Sequence, residues 1–149
     1  MTAAARRAPP LYTPAILAAA LELAAFPLDA ELPVRGHARS RSCGSTIELG
    51  LALDARGRIV RAGLQARACS IGQAAASRFL AAAAGRDRAQ ISTARAALAA
   101  WIAGEGPVPD WPGIDLIAPA IAYPARHGAI LLAWDAALAA FDAGMGNPA

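Results

Sequence analysis

Two cysteines and one histidine, Cys43, Cys69 and His127, are the residues of this chain best suited to metal or sulfur chemistry. Cys69 directly precedes Ser70-Ile71-Gly72-Gln73, which has the spacing of a capping box with Ser70 as N-cap and Gln73 three residues later. Its thiol would then lie near the unpaired N–H groups and positive end of a helix, where the thiolate is favoured, and Arg67 acts in the same direction. Cys43 stands beside Gly44, with Arg39 and Arg41 just before it, which suits a thiolate held at a loop tip. The thiolate is the form that binds metal or attacks sulfur. Each cysteine alone also fits the plainer reading of a small buried hydrophobe, and their separation matches no compact zinc-finger spacing. His127, in Pro124-Ala125-Arg126-His127-Gly128, offers an imidazole as third ligand to a cysteine pair holding zinc or iron, with a structural or solvated ring as the other reading. His37 falls among arginines on one strand face and is the weaker ligand of the two.

The elements that must position these groups can be read from periodicity. Thr13 as N-cap and Pro14 at the first helical position open a helix from about Pro14 to Ala25, stopped by Pro27. Leu32 to Ser40 alternates as a strand and leads into Cys43-Gly44. Ile47, Leu49, Leu51 and Leu53 mark one face of a second strand, Ala55-Arg56-Gly57 supplies a turn, and Arg58 to Ala68 returns with Val60, Ala62 and Leu64 on its apolar face. In such a meander the start of the second strand lies beside the end of the third, which is the physical case for one site shared by Cys43 and Cys69. Helices follow from Ser70 to about Ala84 and from the capping box Asp87-Arg88-Ala89-Gln90 to Gly104. After a Pro- and Gly-rich stretch with a short turn near Ile114 to Ile117, a last helix covers about Ala129 to Ala140. Strands first and helices later, without βαβ alternation, indicate an α+β fold: a three-stranded antiparallel meander with an N-terminal helix and several C-terminal helices on one face.

The chain has 149 residues, 56% hydrophobic and 17% charged, which suits a single domain over residues 1–149 with a frayed start through residue 10. A chain of this length buries roughly 70% of its unfolded surface, so neither metal nor disulfide is required to hold it together. Two cysteines make no secreted disulfide framework and fit a reducing compartment. Ala15 to Phe26 superficially resembles a signal-peptide core, but the Thr13-Pro14 helix start and Glu22 within the run oppose that, and it falls short of the roughly 20 residues a membrane span needs. No membrane association and a cytoplasmic location are expected. All 14 basic residues are arginine, and the net charge of +3 is too small to indicate nucleic acid by itself. Arg35, Arg39, Arg61 and Arg67 suggest a basic stripe on the open sheet face. Sheet-based RNA binders stack bases on aromatic side chains, however, and the meander has no Phe, Tyr or Trp, so a solvated face or a surface for an acidic protein fits better. There is no nucleophile elbow, P-loop or dinucleotide fingerprint to support a conventional enzyme.

The order of Ser42-Cys43-Gly44, Arg67-Ala68-Cys69-Ser70-Ile71, and Tyr123-Pro124-Ala125-Arg126 through Leu132-Ala133-Trp134 resembles the U-type iron–sulfur cluster scaffold family, over Leu11-Tyr12 to about Phe141. The last motif is most similar to the SufU branch. The resemblance implies a non-catalytic scaffold or carrier that binds iron or an iron–sulfur cluster through Cys43 and Cys69, with His127 as a possible third ligand. Its implied partners are a cysteine desulfurase and cluster-acceptor proteins. Two other roles are open: a zinc-containing acceptor of persulfide sulfur, and a metal-free interaction domain that keeps the fold. Family members hold their cargo with three cysteines and an aspartate or histidine. Here Ser45 stands at the aspartate position, Ala129 at the third cysteine and Gly128 just before it, with His127 one residue earlier still. Ala18, Ala19 and Ala20 replace polar residues of the family's first helix.

Overall fold

The computed structural model describes residues 10–145, so the expected frayed start lies almost wholly outside the described residues. Helix α1 (Pro14–Glu22) begins where Thr13 accepts a hydrogen bond from the Ile16 amide at 3.2 Å and continues as a 3-10 turn, Leu23–Ala25. Strands β1 (Val34–Arg39), β2 (Thr46–Leu53) and β3 (Ile59–Arg67) form one antiparallel sheet in that order. Ile47, Leu49 and Leu51 are fully buried on its inner face, as their alternation requires.

One strand expectation fails, and the reason is local. A register shift at Ala52/Leu53 pairs Ala52 with Arg61 but Leu53 with Ile59, leaving Val60 as the extra residue of a bulge. Val60 is therefore 60% exposed, and Ile59 occupies the apolar position expected for it. The β2–β3 turn closes through Gly57 at φ +75°, the left-handed conformation that glycine adopts without steric cost.

Helix α2 (Ser70–Ala82) and helix α3 (Arg88–Ile102) follow, the latter opened by the complete Asp87–Gln90 capping box. The Pro- and Gly-rich stretch contains a longer element than expected, a 3-10 helix over Ile114–Ala122 that buries Ile114, Ile117 and Ala120. After a 3-10 turn at Pro124–Arg126, helix α4 (His127–Met145) starts two residues earlier than expected and runs on past Ala140. It packs across the inner face of β1 and β2. Gly36 permits the close approach, because a Cβ there would fall on the Ala136 carbonyl and lie 2.9 Å from the Ala140 Cα. Behind α4, Phe79 stacks on Trp111 with centroids 5.5 Å apart, and Trp134 meets both rings edge-on. The outer sheet face is covered only in part, where Pro27 lies over Gly63 and Leu32 over Gly50. The fold is α+β, as the order of elements indicated. Among the described residues no helix is long and apolar enough to cross a membrane.

Candidate functional site

The end of the sheet opposite Gly57 gathers the residues that matter. Arg39 pairs with Thr46 and Thr46 with Arg67, so the β1–β2 connection carrying Cys43 and the β3–α2 junction carrying Cys69 leave the sheet at the same end. The first turn of α4 closes this end from the inner side. A Cβ on Gly128 would lie 2.5 Å from the Ser40 hydroxyl and 3.2 Å from that of Ser42, and a Cβ on Gly72 in α2 would lie 3.3 Å from the Ala129 Cβ. The two positions that the family resemblance singles out in α4 thus touch the Cys43 loop and the first turn of the Cys69 helix.

Cys43 sits on a tight exposed turn tied by Ser40 N–H to Ser45 C=O at 2.8 Å and Gly44 N–H to Ser40 C=O at 2.9 Å. Its sulfur is 3.4 Å from the Ser40 hydroxyl and 3.0 Å from that of Ser45, both of which belong to buried residues. Ser42 lies 3.1 Å from Ser40, hydroxyl to hydroxyl, and donates to the Ala125 carbonyl at 3.2 Å, which anchors the turn to the segment before α4. Burial acts to raise the Cys43 pKa, but hydrogen bonds from the Ser40 and Ser45 side chains, the Ser45 backbone and the positive charge of Arg126 together hold it below the ordinary thiol value. The sulfur opens onto a cleft of about 500 Å³ whose walls include Tyr12, Tyr123 and Arg126.

Cys43 is thus exposed, with hydrogen bonds that favour its thiolate. Iodoacetamide is expected to modify it ahead of half-buried Cys69, with the midpoint of its rate–pH profile below that of a simple thiol because only the thiolate attacks. In Ser45→Ala the midpoint should move up toward the simple-thiol value. An unmoved midpoint would show that the hydroxyl does not hold the thiolate.

Cys69 differs from expectation in one respect: it is itself the N-cap of α2, with Ser70 already inside the helix, and its side chain makes no capping hydrogen bond. Gln73 does not complete a box; its amide donates to the Ala68 carbonyl at 2.8 Å. His127 is the first residue of α4, and its Nε2 lies 2.9 Å from the Ile121 carbonyl. A carbonyl can only accept, so Nε2 carries the proton and Nδ1 alone has a lone pair for a metal. His37 projects, exposed, from the outer sheet face. Among the described residues no group of three or more His, Cys, Asp or Glu side chains is placed to hold a metal ion. A closed zinc site needs four protein ligands, and two thiols with Ser45 and Ala129 do not fit one. The serine cluster around Cys43 was not singled out beforehand, although Ser40-Arg41-Ser42-Cys43-Gly44-Ser45 is a visible concentration of hydroxyls beside a thiol.

No protein-family model matches the sequence, and no curated protein does. Solved structures do. The N-terminal part of a nitrogen-fixing NifU-like protein from Brucella abortus superposes with a TM-score of 0.81 at 26% identity, over 93% of this chain and 96% of that one. A protein from Fervidobacterium islandicum, named as an iron–sulfur cluster assembly scaffold protein for the SUF system, shares the fold with a TM-score of 0.76 at 19% identity, over 87% and 96% of the two chains. The first likeness spans nearly the whole chain. In fold and in the order of its sequence motifs the chain is similar to the NifU-like and SufU-type proteins.

Proposed function

We propose that this protein is a cytoplasmic scaffold or carrier in iron–sulfur cluster assembly, in which Cys43 and Cys69 take up iron or a cluster as cargo through their thiolates. The observation that carries this reading is the convergence of the two cysteine-bearing connections at one end of the sheet, against the first turn of α4. The names of the structural neighbours, one a scaffold for cluster assembly, point the same way. The role is that of a carrier and not a catalyst. Two thiolates leave coordination positions for ligands from outside the chain, such as a partner protein's side chain, and such a site releases its cargo readily. His127 would add a third ligand through Nδ1.

A second reading is favoured by Cys43 itself, exposed and held by hydroxyls. Its thiolate would attack the outer sulfur of a persulfide on a cysteine desulfurase. The donor's S–S bond breaks, the donor leaves as thiolate, and the outer sulfur stays on Cys43 in a new S–S bond, with no net oxidation.

Iron, zinc and acid-labile sulfide in protein purified without oxygen, beside Cys43→Ser/Cys69→Ser, separate these roles. Iron and sulfide near one cargo per chain, lost in the variant, are expected. Retention in the variant would refute the cysteine assignment. Absence from both, with sulfur uptake from a desulfurase at Cys43, would favour the second reading; absence of both activities would leave a metal-free interaction domain.

A further inference from the structure

The arginines of this chain are unevenly neutralised. Arg61 meets Asp29 at 3.0 Å, Arg88 meets Asp142 at 2.8 Å, Arg95 meets Asp135 at 2.8 Å, and Arg78 pairs with Glu22. Arg35 is 3.8 Å from Glu48 and Arg86 lies over the Trp111 ring, while Arg56 and Arg58, exposed at the far end of the hairpin, donate their backbone amides to Asp54 and lie near its charge. Arg39, Arg41 and Arg67 are exposed and have no ion-pair partner among the described residues. All three lie at the cysteine end.

Arg39, Thr46 and Arg67 form one cross-strand row, so their side chains share a face, and this is the outer face that α4 does not cover. The two arginines stand about 10 Å apart, two strand spacings with Thr46 between them. A shallow depression of about 250 Å³ opens there, lined by Thr46, Arg67 and the next row, His37, Glu48 and Gln65. Glu48 is the one carboxylate in it and is shared with Arg35. Arg41 adds a third cation on the turn that carries Cys43.

We propose that this arginine-lined end of the outer sheet face is a docking surface for an acidic segment of a partner protein, seated at the sheet end that carries the Cys43 turn. The inference rests on the cargo-carrying reading above and adds how a donor or acceptor is held while cargo passes. Charge complementarity selects the occupant. Guanidinium forks bind carboxylates in pairs of parallel hydrogen bonds, and the Thr46 hydroxyl between them can donate a further one. Three cations without a Phe, Tyr or Trp beside them are too few and too flat for single-stranded nucleic acid, which needs stacking platforms. Placed at the sheet end that carries the Cys43 turn, the patch steers and orients an incoming partner.

The test uses the full chain and a fluorescein-labelled peptide of alternating glutamate and alanine, followed by fluorescence anisotropy at low ionic strength. Arg39→Glu/Arg41→Glu/Arg67→Glu should weaken binding about tenfold or more, as expected for reversed charges at an electrostatic surface, and added salt should weaken it in the parent. Arg56→Glu/Arg58→Glu, at the other end of the hairpin, should bind as the parent does. Equal affinity in parent and triple variant, or equal loss in both variants, overturns the proposal. So does tighter binding of phosphatidylserine vesicles or an oligothymidylate with the same dependence on the three arginines. Thermal melts confirm that the variants fold, and Arg39→Gln/Arg67→Gln gives a milder change expected to weaken binding by a smaller factor. Cys43→Ser/Cys69→Ser should bind the peptide unchanged, so failure of the cysteine reading and failure of the docking surface give different results.

Discussion

Gly36→Ala is expected to lower the midpoint of thermal unfolding by about 10 °C, the shift that corresponds to a loss of about 3 kcal/mol in a chain of this size. The added methyl would fall on the Ala136 carbonyl and crowd the Ala140 backbone, 2.9 Å from its Cα. Backbone cannot rotate aside as a side-chain tip can, so β1 and α4 must separate along their shared interface. That interface includes Ala136, Ala137 and Ala140, all fully buried, whose small size lets the helix lie close to the sheet. Domains of this kind are stable by only about 5–15 kcal/mol, so the substitution removes a large fraction of the total. Thermal unfolding followed by circular dichroism measures it. A midpoint within two or three degrees of the parent, roughly what 1 kcal/mol produces, would mean that α4 does not seat on Gly36 as described.

Ser45→Asp combined with Ala129→Cys should create a tight zinc site where the parent offers too few ligands to close one, with zinc affinity rising by about two orders of magnitude or more. Ser45 is already 3.0 Å from the Cys43 sulfur, so a carboxylate there lies within reach of a shared ion. Ala129 is buried against Gly72 in the first turn of the helix that Cys69 caps. The two changes supply a carboxylate and a third thiolate at the positions that the family resemblance assigns to ligands. Competition with a chromophoric chelator gives the affinity, and a rise in melting temperature on adding zinc provides a second readout. If the doubly substituted protein folds and still loses zinc to the chelator as the parent does, positions 45 and 129 do not converge with the cysteines on one point.

Much of the architecture could be read from residue order, because the relevant signals are local. The Asp87 capping box, the Thr13-Pro14 helix start and the alternation Ile47-Leu49-Leu51 each depend on neighbours within a few residues, and each is present. Failures occurred where a partner outside the motif decided the outcome. Val60 continues the alternation of Ala62 and Leu64, yet the bulge opposite Ala52 and Leu53 turns it to solvent. Ser70 and Gln73 have capping-box spacing, but Gln73 is used by the Ala68 carbonyl and Cys69 takes the cap. The site was legible in its anchors and not in its surroundings. Chain order locates Cys43 and Cys69 on adjoining connections, whereas the hydroxyls of Ser40 and Ser45 and the charge of Arg126 reach the Cys43 sulfur only after the turn and the approach to α4 have formed. His127 is fixed by the Ile121 carbonyl, a contact that depends on the unexpectedly long 3-10 segment before it.

The position of α4 across β1 also imposes an order in time. The meander needs only hairpin contacts and can pair while the chain is still being synthesised, but the helix that covers its apolar face, from His127 to Met145, emerges from the ribosome some hundred residues after β1. Until then Ile47, Leu49 and Leu51 face outward on a nascent sheet, open to chaperones and to other nascent chains. The cysteine end is completed in the same late step, because the first turn of α4 is one of its walls. In newly made protein, therefore, the cysteine end is completed only when the most vulnerable surface is sealed.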